Sequence, residues 1–113
     1  MKQTIIGVCP SKSNCYRIGH KGLFKTPALT KYEDNFFIQC NQYRNKMIKG
    51  YFELHIDVFY PSERADLDNC LKVVLDCLQR VKAIPNDNKC VKIVAQKFKD
   101  KKEPRIEFVL LVA

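Results

Sequence analysis

Residues 51–60, YFELHIDVFY, constrain the fold more than any other stretch of the chain. Phe52, Leu54, Ile56, Val58 and Tyr60 alternate with Tyr51, Glu53, His55, Asp57 and Phe59. A period of two puts the first set on one face and the second on the other, so the segment predicts a strand with one side on a core. Pro61 ends it. Just beyond, Leu67, Leu71, Val74, Leu75 and Leu78 fall on one face of a 3.6-residue period, which predicts a helix starting near Asp68 and lying within residues 66–82. A strand feeding a helix through a short turn is the centre of the chain, and the other elements have to pack around it.

The remaining segments are shorter signals. Residues 4–9 (TIIGVC) read as a strand, broken by Pro10 and the polar residues after it. Residues 16–24 contain a Gly-His-Lys-Gly turn suited to a small hairpin or loop. Thr26-Pro27 opens the next element. Apolar residues at 29, 32, 36, 40, 43 and 47 predict an amphipathic helix over residues 29–47, stopped by Gly50, with Glu33 and Asp34 near its positive end. Residues 83–89 form a polar turn. Residues 90–98 and 105–112 read as strands, and the charged tip between them predicts that the two form a hairpin. The order is β, loop, α, β, α, β, β, an α+β class with a mixed sheet and two helices. At 113 residues the chain is expected to be one domain over residues 1–113.

Composition narrows the function. With 46% hydrophobic and 28% charged residues, the chain is expected to be an ordinary soluble globular protein. Its longest apolar run is residues 108–113, well short of the roughly 20 that a membrane span needs. The first residues lack the apolar core of a secretory signal, so a cytoplasmic location is expected. Six cysteines stand at 9, 15, 40, 70, 77 and 90, none in a CxxC pair, and the two histidines, His20 and His55, sit near no cysteine pair. That spacing argues for reduced thiols filling the core, not for disulfides or zinc. His55, with no second histidine at ligand spacing, reads as an exposed strand residue.

Charge is distributed unevenly. The formal net charge is +8, yet residues 57–76 hold five acids (Asp57, Glu63, Asp66, Asp68, Asp76) against Arg64 and Lys72. The other 93 residues carry 18 bases and 7 acids, a surplus of +11. Such a surplus suits an anionic polymer, nucleic acid first, although a basic surface can also serve solubility alone. Lys12, Arg17, His20, Lys21 and Lys25, interleaved with Tyr16 and Phe24, suit a loop that grips phosphates, and equally a solvated loop.

The acidic segment carries the chemistry. Asp68, Lys72 and Asp76 are each four apart and form a stripe beside the apolar face of the helix. Asp66 and Asp68 can aim at one point if the first is extended and the second begins the helix. Asp87, in the polar turn before a strand, is the best source of a third carboxylate. Two or three carboxylates can hold a hard divalent cation for phosphodiester cleavage, with Lys72 as a clamp on the phosphate or leaving oxygen and Asn69 as a neutral polar neighbour. A helix cap, an ion-paired helix edge and an exposed turn would account for the same residues by spacing alone.

The run Pro61-x-x-Arg64-x-Asp66-Leu67-Asp68-Asn69-x-x-Lys72-x-x-x-Asp76-x-Leu78, followed by Asn86-Asp87, resembles the RusA family of Holliday junction resolvases. Pro10-Ser11, Asn14, Tyr16-Arg17 and Thr26-Pro27 are similar to the family's opening motif, and Lys97 falls where the family tends to have a lysine. The resemblance implies a RusA-like fold and a magnesium-dependent, structure-selective endodeoxyribonuclease, with manganese able to substitute. It implies that Asp66, Asp68 and Asp87 are catalytic, metal-binding acids, that Lys72 is a catalytic lysine and that Asp76 has a supporting role. It further implies a homodimer that nicks opposed strands of a four-way junction symmetrically, in DNA recombination and repair. Lys12, Arg17, Lys21, Arg64 and Lys97 are the expected DNA-binding cations. One departure stands out: where the family often has two adjacent acids before the strand, the first here is Asn86, which bears on the number of metal ions. The competing expectations are a catalytically silent branched-DNA-binding protein, a nuclease for flaps, forks or RNA, and a purely structural interaction domain.

Overall fold

The alternation in residues 51–60 becomes β4 (Phe52–Tyr60), and all five residues of its apolar set are buried. The computed structural model describes residues 1–10 and 15–113, the side chain of Asn69 apart. β4 is an inner strand of a four-stranded mixed sheet. It pairs antiparallel with β6 (Arg105–Val112) and parallel with β5 (Cys90–Lys99), while β1 (Gln3–Ile6) pairs antiparallel with the far side of β6. The order is β1-β6-β4-β5. A separate two-stranded ribbon is made by β2 (Tyr16–Gly19) and β3 (Gly22–Lys25).

Two helices supply the other half of the core. In α1 (Pro27–Gln39), Thr26 is the cap: its hydroxyl accepts from the Leu29 amide at 3.3 Å, and Pro27 fits the first turn, where no amide partner is needed. Leu29, Tyr32 and Phe36 are its buried stripe. Phe36 stacks on Phe108 of β6, with ring centroids 5.9 Å apart, and Tyr43 covers Phe108 at 5.7 Å. In α2 (Leu71–Arg80), preceded by a 3-10 turn (Leu67–Cys70), Val73, Val74, Cys77 and Leu78 are buried. The six cysteines, all among the described residues, form no disulfide, and five of them are buried, as small core residues would be. Burial pushes the Cys77 thiol up to about 12. No helix among the described residues is long and apolar enough to cross a membrane.

Two expectations need correction. The first helix ends at Gln39, not at Met47. Tyr43 still points inward, but Asn45 and Met47 take positive φ (62° and 48°), which a right-handed helix cannot accommodate. The amides of Asn45, Met47 and Ile48 instead bond the carbonyls of Val81, Lys82 and Ala83 at 2.9–3.0 Å, so this segment docks on the end of α2. Burial continues past the helix at Cys40 and Tyr43 without helical backbone, whereas Met47, read as the last residue of the same apolar face, is exposed.

The second correction concerns the last two strands. β5 and β6 do not pair with each other; β4 lies between them. Burial gives the reason. β6 has a clean inward set, Ile106, Phe108 and Leu110, which needs a covered inner position. In β5 only Cys90 and Ala95 are even partly buried, which suits an edge. The five residues 100–104 pass over the end of β4, crossing two strand spacings of about 4.8 Å each. The Asp100 amide bonds the Tyr60 carbonyl at 2.8 Å on the way, and Arg105 closes the turn on Asp100 at 2.9 Å.

Phe36→Ala should cost about 3–5 kcal/mol of stability, since it empties the fully buried contact between α1 and β6. Urea denaturation of the two proteins measures it.

Candidate active site

Parallel pairing of β4 with β5 requires a crossover, and that crossover, residues 61–89, carries the acidic segment. Asp66 is extended (φ −81°, ψ 139°) just before the 3-10 turn, exposed, and makes no side-chain cap bond. Asp68 is exposed in the first turn. Lys72 and Asp76 follow on α2, and Asp87 opens a second 3-10 turn (Asp87–Lys89) after it. Asn69 lies in the first 3-10 turn, its side chain outside the described residues.

Lys72 is the centre of the arrangement. Its Nζ donates to Asp87 Oδ2 at 2.6 Å and lies 3.1 Å from Asp76 Oδ1. Asp87 hydrogen bonding, then Asp76, raises the lysine above its ordinary range, so its charge is secure at neutral pH. The three groups are partly exposed, with Lys72 the most open, so the pairs orient more than they stabilise. Asp87 is itself held: Gln79 Oε1 accepts its amide at 2.7 Å, and Asn86 caps the turn through the Asn88 amide at 2.9 Å. Thus Asn86, where an acid was expected, has a local structural task.

Asp68, Lys72 and Asp76 line one side of a cavity of about 310 Å³. Val73 and Leu29 contribute an apolar wall, Cys15 and Tyr16 enter from the start of the ribbon, and Glu33 comes from α1. Glu33 is engaged by Lys25 at 3.1 Å. The spacing of residues 68, 72 and 76 therefore converts into one lined surface, and Asp87 joins it through Lys72. Sequence reasoning missed Glu33, read only as a dipole partner near a helix start, and Gln79, whose role depends on where residues 81–87 fold back.

The expected DNA-binding cations are dispersed. Arg17 and Lys21 are exposed on the ribbon, and Arg64 is exposed in the loop before Asp66. Lys12 lies outside the described residues. Lys97, on β5, donates to the carbonyls of Glu63 at 3.3 Å and Ala65 at 3.0 Å, tying the edge strand to the loop that delivers Asp66. His55 is half-buried on the outer face of β4, bonded to Glu53 at 2.9 Å.

Among the described residues no three of His, Cys, Asp and Glu are gathered as a cation-holding group. The donor set is carboxylate oxygen throughout, the chemistry a hard divalent ion takes: Asp76 and Asp87 meet at the Lys72 ammonium and Asp68 lines the same cavity, while Asp66 and Asp87 are not among its lining residues. Carboxylates and a fixed ammonium beside one cavity, on a chain of net charge +8, are the equipment of a protein that cuts a phosphate backbone. Comparison with protein families gives the same class. A family model described as endodeoxyribonuclease RusA matches residues 8–110. The chain belongs to the RusA family, and the protein is an endodeoxyribonuclease of a family that acts on branched DNA. Among curated proteins the chain finds no match.

Asp87→Asn should return the Lys72 ammonium towards the ordinary lysine range, as followed by NMR titration of the side-chain resonance. In the unaltered protein the folded value lies above the unfolded one. The pair's contribution is therefore whole below the ordinary lysine range and is lost as pH rises through the raised value.

Proposed function

We propose that the protein resolves Holliday junctions by paired, symmetric nicks, with residues 1–113 as the endonuclease unit, acting in the cytoplasm in DNA recombination and repair. The observation that carries this reading is the Lys72 ammonium, held by Asp87 and Asp76 beside the cavity that Asp68 lines. Asp66, Asp68 and Asp87 are the residues that would hold magnesium or, in its place, manganese. Such an ion supplies charge neutralisation at the phosphate and a water made acidic enough to attack.

The chain's own groups account for the rest. Lys72 donates to a non-bridging phosphate oxygen or to the leaving oxygen, where negative charge grows as the bond breaks. Asp76, one turn along, keeps Lys72 aimed when Asp87 serves the ion. Gln79 fixes the backbone of Asp87, and Lys97 fixes the loop ahead of Asp66, so both ends of the crossover are anchored. Arg17, Lys21, Arg64 and Lys12 grip the backbones by charge, not sequence. A homodimer accounts for symmetry, since two sites are needed to nick opposed strands.

A cleavage assay on a labelled mobile four-way junction beside linear duplex tests this. The unaltered protein should cut the junction only when magnesium is present. Asp66→Asn and Asp68→Asn should each abolish product while junction binding is kept or strengthened, because a negative charge near phosphate is removed. Full cleavage by either variant would end the assignment. Lys72→Ala should lower turnover about 10²- to 10³-fold with little change in binding, whereas loss of affinity alone would make Lys72 a grip residue.

A further inference from the structure

The β2–β3 ribbon carries a feature that neither core packing nor the cavity uses. Ile18 and Leu23, the two aliphatic side chains of the ribbon, are 86% and 72% exposed. They are directly opposed in the strand register, so their side chains form one apolar knob on a single face. Tyr16 and Lys25 occupy the same face one step back. Tyr16 lines the cavity with Asp68, Lys72 and Asp76, which places the knob about 7 Å further along the ribbon from the cavity rim. On the opposite face, the Phe24 ring lies against Gly19, where an added Cβ would come within 2.9 Å of it, so the ribbon is braced by its own aromatic.

We propose that this knob is a wedge for the branch point of the DNA, inserting Ile18 and Leu23 against a base pair whose stacking the junction has interrupted. Charge selects nucleic acid as the occupant. Residues 16–25 contain Arg17, Lys21 and His20 and no acid, with Lys25 paired to Glu33 of α1, so the apolar pair is delivered on a ribbon whose charges unpaired among the described residues, Arg17 and Lys21, are positive. Shape selects the branch point. Inside linear duplex the base faces are covered by neighbouring pairs and separating them costs a few kcal/mol per step, whereas at a branch the stack is already broken. The wedge thus converts a missing stacking partner into preference for branched DNA and sets the scissile phosphate at a fixed offset from it. This inference rests on the proposed action at junctions.

The test uses the full chain and a four-way junction carrying 2-aminopurine beside the branch point, with cleavage withheld by omitting divalent metal. The unaltered protein should raise the fluorescence on the junction and not on duplex carrying the same base. The double variant Ile18→Ser with Leu23→Ser should abolish that rise and shrink the junction-over-duplex affinity ratio about tenfold, leaving duplex affinity unchanged. Because both side chains lie outside the core, its thermal midpoint should match the unaltered protein, and the apolar variant Ile18→Leu with Leu23→Met should keep the signal. A double serine variant that retains both the rise and the ratio overturns the wedge. So does one that changes the mass measured by light scattering, since the knob would then be a contact between copies. If the unaltered protein raises the fluorescence but cuts nothing when magnesium is added, the wedge stands and the catalytic reading falls. If it cuts junctions with no rise, the wedge alone falls.

Discussion

Parallel pairing of β4 with β5 is the constraint from which the site follows. Strands that run the same way cannot be joined by a tight turn, so the intervening chain must leave one end of the sheet and return to the other. Here that return contains α2, and the acids lie along it. Asp66 and Asp68 precede the helix, Asp76 lies within it, and Asp87 follows it just before β5 begins. Ten helical residues span about 15 Å, so acids at the two ends would stand apart if the chain simply ran on. Residues 81–87 fold back instead, held through Gln79, and Asp87 comes level with Lys72.

Lys72 then unites groups that the backbone separates. A flexible side chain with a compact charge can serve two carboxylates at once, and because it is exposed it can release either at small energetic cost. A fully buried ion pair at the same place would be fixed and unavailable. The core beneath has the opposite character. Cys9, Cys70 and Cys77 and the rings of Tyr32 and Tyr60 are buried, and burial drives Cys9, Tyr32 and Tyr60 upward, so those groups stay neutral. An uncharged, packed base under a charged, open cavity gives the acidic segment a stable platform.

The edge of the sheet serves the same segment from the other side. β5 carries few core residues, yet its Lys97 closes on two carbonyls of the loop before Asp66. On the opposite face Phe98 stacks on Phe59 at 5.0 Å, and the Arg105 guanidinium lies 3.8 Å above the Phe59 ring. The edge strand is therefore fastened on both faces, by a lysine towards the site and by aromatic stacking away from it.

Local periodicity determined much of this protein from its sequence alone. The strand at Phe52–Tyr60, the ribbon turn, the helix carrying Leu71, Val74 and Leu78, and the stripe of Asp68, Lys72 and Asp76 all follow from side chains a few positions apart. Their spacing is set by the pitch of the backbone itself. Tertiary structure alone decided the rest. Whether β5 pairs with β6 or with β4 turns on which strand needs a covered place. Where α1 ends turns on the amides of Asn45, Met47 and Ile48 finding the carbonyls of Val81, Lys82 and Ala83, and that Gln79 holds Asp87 turns on the fold-back between them. Each is a contact between residues whose separation along the chain bears no relation to their distance in space, so no repeat in the sequence could encode it.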